Sequence, residues 1–157
     1  VKTSNLNHQK YILNLGVDAL SIKLEPKFLH DKISKSQVPI KQILLNQKII
    51  AGIGNIYASE ILFDAKISPL THGTNLKISH IMKLILSIRR ILTKAIKFGG
   101  SSIRDFSNTK GKTGSFQEHF KIYGMLGKNC SNSDCNYKIQ KIVISNRASF
   151  LCPKCQK

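Results

Sequence analysis

The chain has 157 residues, 41% of them hydrophobic: enough for one cored domain plus a small appendage, with no apolar run near the roughly 18 residues that span a bilayer. Twenty-five Lys and Arg against eight Asp and Glu leave a net charge of +17, positive in both residues 1–100 and 101–157. So large a surplus repels itself and suits a polyanionic partner, nucleic acid first, although a lysine-rich composition bias would also produce it.

Residues 1–24 read as the end of a preceding element and a linker, and the start at Val1 rather than Met suggests sequence upstream. Glu25-Pro26 opens a helix, with Pro in the first turn where its missing N–H costs nothing. From Pro39 the pattern is helical again, Ile40, Ile43, Leu44 and Ile50 lining one face until Ala51-Gly52-Ile53-Gly54 breaks it. Asn55 is predicted to cap a helix from Ile56 to about Lys66, with Ile56, Ile61, Leu62 and Ala65 inward. A long helix is predicted from about Ser79 to Phe98. Ile78, Ile81, Met82, Ile85, Ile88, Leu92 and Ile96 form its core face, Lys83, Arg89, Arg90, Lys94 and Lys97 its polar face, and Gly99-Gly100 its stop. Residues 101–127 are polar and glycine-punctuated, the composition of a functional or disordered loop.

Four cysteines follow, Cys130, Cys135, Cys152 and Cys155, as C-x4-C and C-x2-C pairs. Two short thiolate loops can converge on one tetrahedral ion, and the β-prone stretch Lys138–Arg147 between them has a turn-like end. This is the pattern of a zinc ribbon, in which one structural Zn2+ replaces the core so small a unit cannot build. A pair of disulfides in a secreted domain is the alternative; no signal peptide is visible to support it. The predicted fold is therefore mainly α, a helical bundle over residues 25–100, then a loop region over 101–126 and a zinc ribbon over 127–157.

The turn between the two helices of residues 42–69 carries Gly52 and Gly54. Free backbone N–H groups at the start of the second helix, with its dipole, make an anion site, and a backbone phosphate could sit there beside Asn55 and Lys41. A tight helical hairpin would use the same glycines. Composition and spacing leave the two readings equal.

The run Pro39-Ile40-Lys41, Leu44-Leu45-Asn46-Gln47 and Ala51-Gly52-Ile53-Gly54-Asn55-Ile56-Tyr57-Ala58-Ser59-Glu60 closely resembles the helix–two-turn–helix of the formamidopyrimidine-DNA glycosylase family, bacterial enzymes that remove oxidised purines such as 8-oxoguanine. Asn46 for Asp is the clear departure. Gly99–Phe106 and Gly111–Gln117 look like that family's lesion-recognition loop, and Asn146–Gln156 like its final hairpin, so the resemblance covers about residues 15–157. It departs at Met125, where a basic residue is usual, at Asn136, where glycine is usual, and at the C-x4-C pair, two residues longer than C-x2-C. The longer knuckle is expected to bulge or bind metal less tightly.

The resemblance implies roles residue by residue. Lys41, Gly54, Asn55 and Arg147 would contact the DNA backbone, Arg147 also serving as proton donor in the final elimination. Ser101, Ser102, Arg104, Lys112 and Tyr123 would belong to the loop that closes over the everted base. The implied partner is damaged double-stranded DNA, met by a monomer in the bacterial cytoplasm. Family chemistry begins at an N-terminal Pro-Glu, whose secondary amine attacks C1′ before β- and δ-elimination cut the strand. This chain begins Val1-Lys2, and its prolines fall at 26, 39, 69 and 153. It is therefore expected to be the DNA-binding C-terminal part of a glycosylase and AP lyase, inactive by itself. A stand-alone, non-catalytic DNA-binding protein is the alternative.

Overall fold

A computed structural model describes residues 12–101 and 114–157. Ser102, Arg104 and Lys112, predicted for the loop, lie outside the described residues. Helix α1 (Pro26–Ile33) starts on its proline and buries Leu29 and Ile33. Helix α2 (Ile40–Leu45) ends sooner than the apolar pattern suggests. Asn46 stops it: its Oδ1 accepts the Lys48 N–H at 3.0 Å, a local turn that competes with another helical turn. The chain then extends as β2 (Ile50–Ala51), parallel to β1 (Val17–Asp18) with Val17 opposite Ile50. Ile50 is thus buried by a strand pairing and is not part of the α2 face predicted for it.

Helix α3 (Asn55–Asp64) is capped by Gly54, in extended conformation and without a side-chain cap. Asn55 is the first helical residue, not the cap, and its side chain donates through Nδ2 to the Ala148 carbonyl. Lys66, with φ 59°, closes the C-terminus, and the Ile67 N–H reaches back to the Leu62 carbonyl at 3.0 Å.

Helix α4 (Ile78–Lys97) lays Ile81, Leu84, Ile85, Ile88, Ile91, Leu92 and Ala95 into the core. Met82 (52% exposed) and Ile96 (67% exposed) do not join them, contrary to the predicted core face, and Ile78 is exposed too. The buried stripe centres near Ile88, from which Met82 is turned by roughly a third of a turn. Ile78 and Ile96 sit at the helix ends, where packing partners thin out.

Gly99 and Gly100, with φ 72° and 79°, end α4 with N–H bonds to the Ile96 and Ala95 carbonyls. The next described residues form a stem. Ser101 bridges Ser115, and the Phe116 N–H donates to the Gly100 carbonyl at 2.9 Å. The two stem strands pass so closely that a Cβ at Gly114 would lie 2.3 Å from the Gly100 oxygen. Phe116 then enters the core shared by α1 to α4.

The C-terminal unit is an antiparallel hairpin, β3 (Gln140–Ile144) and β4 (Arg147–Leu151), with Ile144 opposite Arg147. Its two-residue turn has both Ser145 (φ 49°) and Asn146 (φ 61°) left-handed, the conformation whose twist matches the strands it joins. A smaller apolar cluster of Phe63, Ile122, Ile139 and Phe150 surrounds the cysteines. Phe63 comes from α3, so that helix serves both cores. The architecture is helical with one small C-terminal hairpin, as the sequence predicts. No helix among the described residues is long and apolar enough to cross a membrane.

Candidate nucleic-acid interface and metal centre

The helix–turn–helix is built by one side chain. Gln47 donates through Nε2 to the carbonyls of Leu45 (3.2 Å) and Ile53 (3.0 Å) while its Oε1 accepts the Gly52 N–H at 2.9 Å. Gly52, at φ 101°, makes a turn there that a side chain would strain. The Asn46 departure is harmless to this turn, because an amide oxygen accepts the Lys48 N–H as a carboxylate would. Gly54 is exposed at the N-terminus of α3, leaving first-turn N–H groups open to an anion.

The β3–β4 hairpin docks beside this turn through the Ala148 carbonyl and the Ser149 hydroxyl. Ala148 O accepts from Lys41 Nζ at 2.8 Å and from Asn55 Nδ2 at 3.1 Å. Lys41 Nζ also donates to Ser149 Oγ at 2.6 Å. Three sequence-predicted residues from separate segments, Lys41, Asn55 and Arg147, are thereby gathered at one place. Arg147 is exposed immediately after the turn. Lys41 is 0% exposed. Burial, and then the neighbouring Arg147 charge, lower its pKa to about 8. Its ammonium is enclosed against the hairpin, next to the Arg147 charge.

Sequence reasoning missed the second joint. Glu60, buried on α3, accepts the backbone N–H groups of Lys121 (3.0 Å), Ile122 (3.0 Å) and Tyr123 (2.8 Å). Burial pushes its carboxyl pKa up, and these N–H bonds oppose that rise. Tyr123, predicted within the loop, is fixed by this bond and by edge contacts of its ring with Phe120 and Phe150. Ser101 stands in the loop's stem. A third joint is Gln156, buried, which accepts the Cys152 N–H (2.8 Å) and donates to the Ile67 carbonyl (3.0 Å). The only signal for either residue was its place in a family-like run.

The four cysteines come together, with all four sulfurs within 4.8 Å of one another. Cys130 and Cys155 Sγ are 3.8 Å apart, and Cys135 and Cys152 Sγ 3.6 Å. Four sulfurs at about 2.3 Å from a tetrahedral ion are about 3.8 Å from each other, so the donor set fits a metal and none of the cysteines is disulfide-bonded. Burial pushes the Cys130 thiol up to about 12 and raises Cys152, so loading a cation displaces protons from them.

Residues 15–107 match the family model described as the formamidopyrimidine-DNA glycosylase H2TH domain. The chain belongs to the formamidopyrimidine-DNA glycosylase family. It is 42% identical over 157 residues to the formamidopyrimidine-DNA glycosylase of Zymomonas mobilis, covering all of this chain and 57% of that protein. With the Rickettsia conorii enzyme it shares 39% identity, over 98% of this chain and 55% of the relative. The chain thus spans a little over half the length of these curated relatives. Among solved structures, a complex of Lactococcus lactis Fpg with DNA containing an abasic site superimposes with a TM-score of 0.85 at 39% identity, covering 99% of this chain and 56% of that one. A structure of MutM with DNA containing carbocyclic 8-oxo-G gives 0.83 at 41% identity, covering 95% and 54%. The region that the H2TH model matches is therefore joined to the C-terminal hairpin through the Ala148 carbonyl.

Proposed function

We propose that this chain is the DNA-binding part of a base-excision glycosylase and AP lyase that acts on oxidised purines in duplex DNA. The observation that carries this reading is the joint at Ala148, which brings an exposed arginine beside the open N-terminus of α3. Arg147 would grip a backbone phosphate with its planar fork, and the N–H groups after Gly54 a neighbouring one. Asn55 and Lys41 set the spacing between these two grips by holding the same carbonyl. For Lys41 a strut replaces the direct phosphate contact implied by the resemblance. The proton-donor role implied for Arg147 would be exercised from its contact with the phosphate. Ser101 and Gly114 anchor the loop that would cover the everted base, with Tyr123 fixing its outgoing end.

Cys130, Cys135, Cys152 and Cys155 would hold one structural zinc, all four positions being sulfur. Bound there, the ion closes the ribbon that keeps Arg147 at its tip. Four metal-bound thiolates suit the reducing bacterial cytoplasm. The nucleophilic chemistry would belong to the share of its relatives that this chain does not span. Residues 1–157 alone are expected to bind duplex DNA as a monomer and to form no borohydride-trapped adduct with an 8-oxoguanine duplex.

Salt dependence tests the docking. Each neutralised phosphate contributes about 0.9 to the slope of log K against log salt. Arg147→Ala is expected to lower that slope by about 0.9, whereas Lys41→Met weakens binding with the slope unchanged. An unchanged slope in Arg147→Ala removes the arginine from the interface.

A further inference from the structure

The first knuckle, with four residues between Cys130 and Cys135, is closely tied. Its loop is pinned at both ends: the Cys130 N–H donates to the Tyr137 carbonyl (2.9 Å) and Asn129 bridges Lys138. Inside it, the Cys135 N–H closes a turn on the Asn132 carbonyl at 3.0 Å. That turn aims the Asn132 side chain across the centre, where Nδ2 lies 3.1 Å from Cys155 Sγ.

Backbone N–H groups also serve the sulfurs: Asn132 serves Cys130, Tyr137 serves Cys135, and Lys154 and Cys155 serve Cys152. Cys155 is the most exposed of the four. Its sulfur takes the Asn132 amide as a donor. A divalent ion with four thiolates keeps a surplus of negative charge, and an N–H donated to each sulfur disperses it. A second link runs the same way: Lys154 Nζ, beside Cys155, lies 3.5 Å from the Asp134 carbonyl of the same loop.

We propose that Asn132 is a positioning residue of the metal centre, holding the Cys130 sulfur of one knuckle through its main chain and the Cys155 sulfur of the other through its side chain. This rests on the reading of the four cysteines as a zinc site. On it, the longer knuckle tightens the site, against the weaker binding its length suggests.

The test uses the full 157-residue chain, zinc affinity by chelator competition, and cobalt(II) substitution to read the sulfur-to-metal charge-transfer bands. Asn132→Ala removes the side-chain donor. Asn132→Asp keeps its shape but cannot donate. Both are expected to lower zinc affinity by 10–100-fold and to move the charge-transfer bands to lower energy, because a thiolate relieved of an N–H donor gives up its electrons more easily. Bands in Asn132→Asp that match the unmodified chain overturn the proposal, whether or not affinity falls, since loop shape alone would then explain any loss. If the unmodified chain gives no four-sulfur cobalt spectrum, the zinc reading itself fails and takes the proposal with it.

Discussion

Replacing Lys41 by Met separates the cost of a buried charge from the value of its hydrogen bonds. The ammonium is enclosed, donates to Ala148 O and Ser149 Oγ, and has its pKa lowered from 10.5 to about 8 by burial and by Arg147. That depression is worth roughly 3 kcal/mol against the folded state wherever the lysine is charged in both states, below about pH 8. Between pH 8 and 10.5 the unfolded chain holds the proton more tightly, so raising the pH through this window removes the penalty and stability rises. Methionine fills similar volume, relieves the penalty at every pH, and forfeits two charge-assisted bonds worth about 1.5–3 kcal/mol each. Ala148 O keeps its bond from Asn55 and Ser149 Oγ its contact with the Arg147 carbonyl (3.4 Å), so neither is orphaned. At pH 7 the two effects nearly offset, and Lys41→Met is expected to cost about 0–3 kcal/mol. By pH 10 the unmodified chain should have gained about 2–3 kcal/mol that the variant cannot. Urea unfolding of both proteins from pH 7 to pH 10 measures the difference, other titrating groups cancelling between them. Parallel stability profiles across that range would refute the burial of this ammonium.

Two further perturbations address the other joints. Glu60→Ala leaves the N–H groups of residues 121–123 without acceptors; the Ile122 one is buried and loses about 1–3 kcal/mol, the other two less, so a loss of about 2–4 kcal/mol is expected. Hydrogen exchange should accelerate at residues 121–123 first, and unchanged exchange there would discount the joint. Gly114→Ala places a methyl 2.3 Å from the Gly100 carbonyl oxygen and must part the loop's stem. It is expected to weaken discrimination between lesion-bearing and undamaged duplex more than affinity for undamaged duplex, as titrations of both would show.

What the sequence made legible was local. The glycine turn, the stop after α4, the cysteine pairs and the turn before Arg147 are each fixed by a few neighbouring residues, and each appears where it was read. Long-range contacts were not legible. Asn55 has the chemistry of a cap, but an acceptor 93 positions away takes its amide and Gly54 caps the helix instead. Lys41 reads as a surface cation because lysine usually is one. Only the hairpin folding over it shows that it is buried. Met82 differs from Ile81 by one position in the same periodic run, and without the neighbouring helices the centre of the buried stripe cannot be set to better than one residue.

These misses share a cause that bears on function. Lys41, Asn55, Glu60 and Gln156 are all polar: the first three reach from the helices to the C-terminal hairpin or its approaches, and Gln156 reaches back from it to the Ile67 carbonyl. A protein carrying a surplus of +17 cannot rely on apolar area alone to hold two small cores together against mutual repulsion. Directional bonds supply what area does not: they fix the angle at which the ribbon meets the helical turn. That angle sets where Arg147 stands relative to the open N-terminus of α3. On the proposed reading, the polar joints are the means by which the ribbon positions Arg147 for DNA, and a substitution in any one of them should weaken DNA binding even where Arg147 and the four cysteines are untouched.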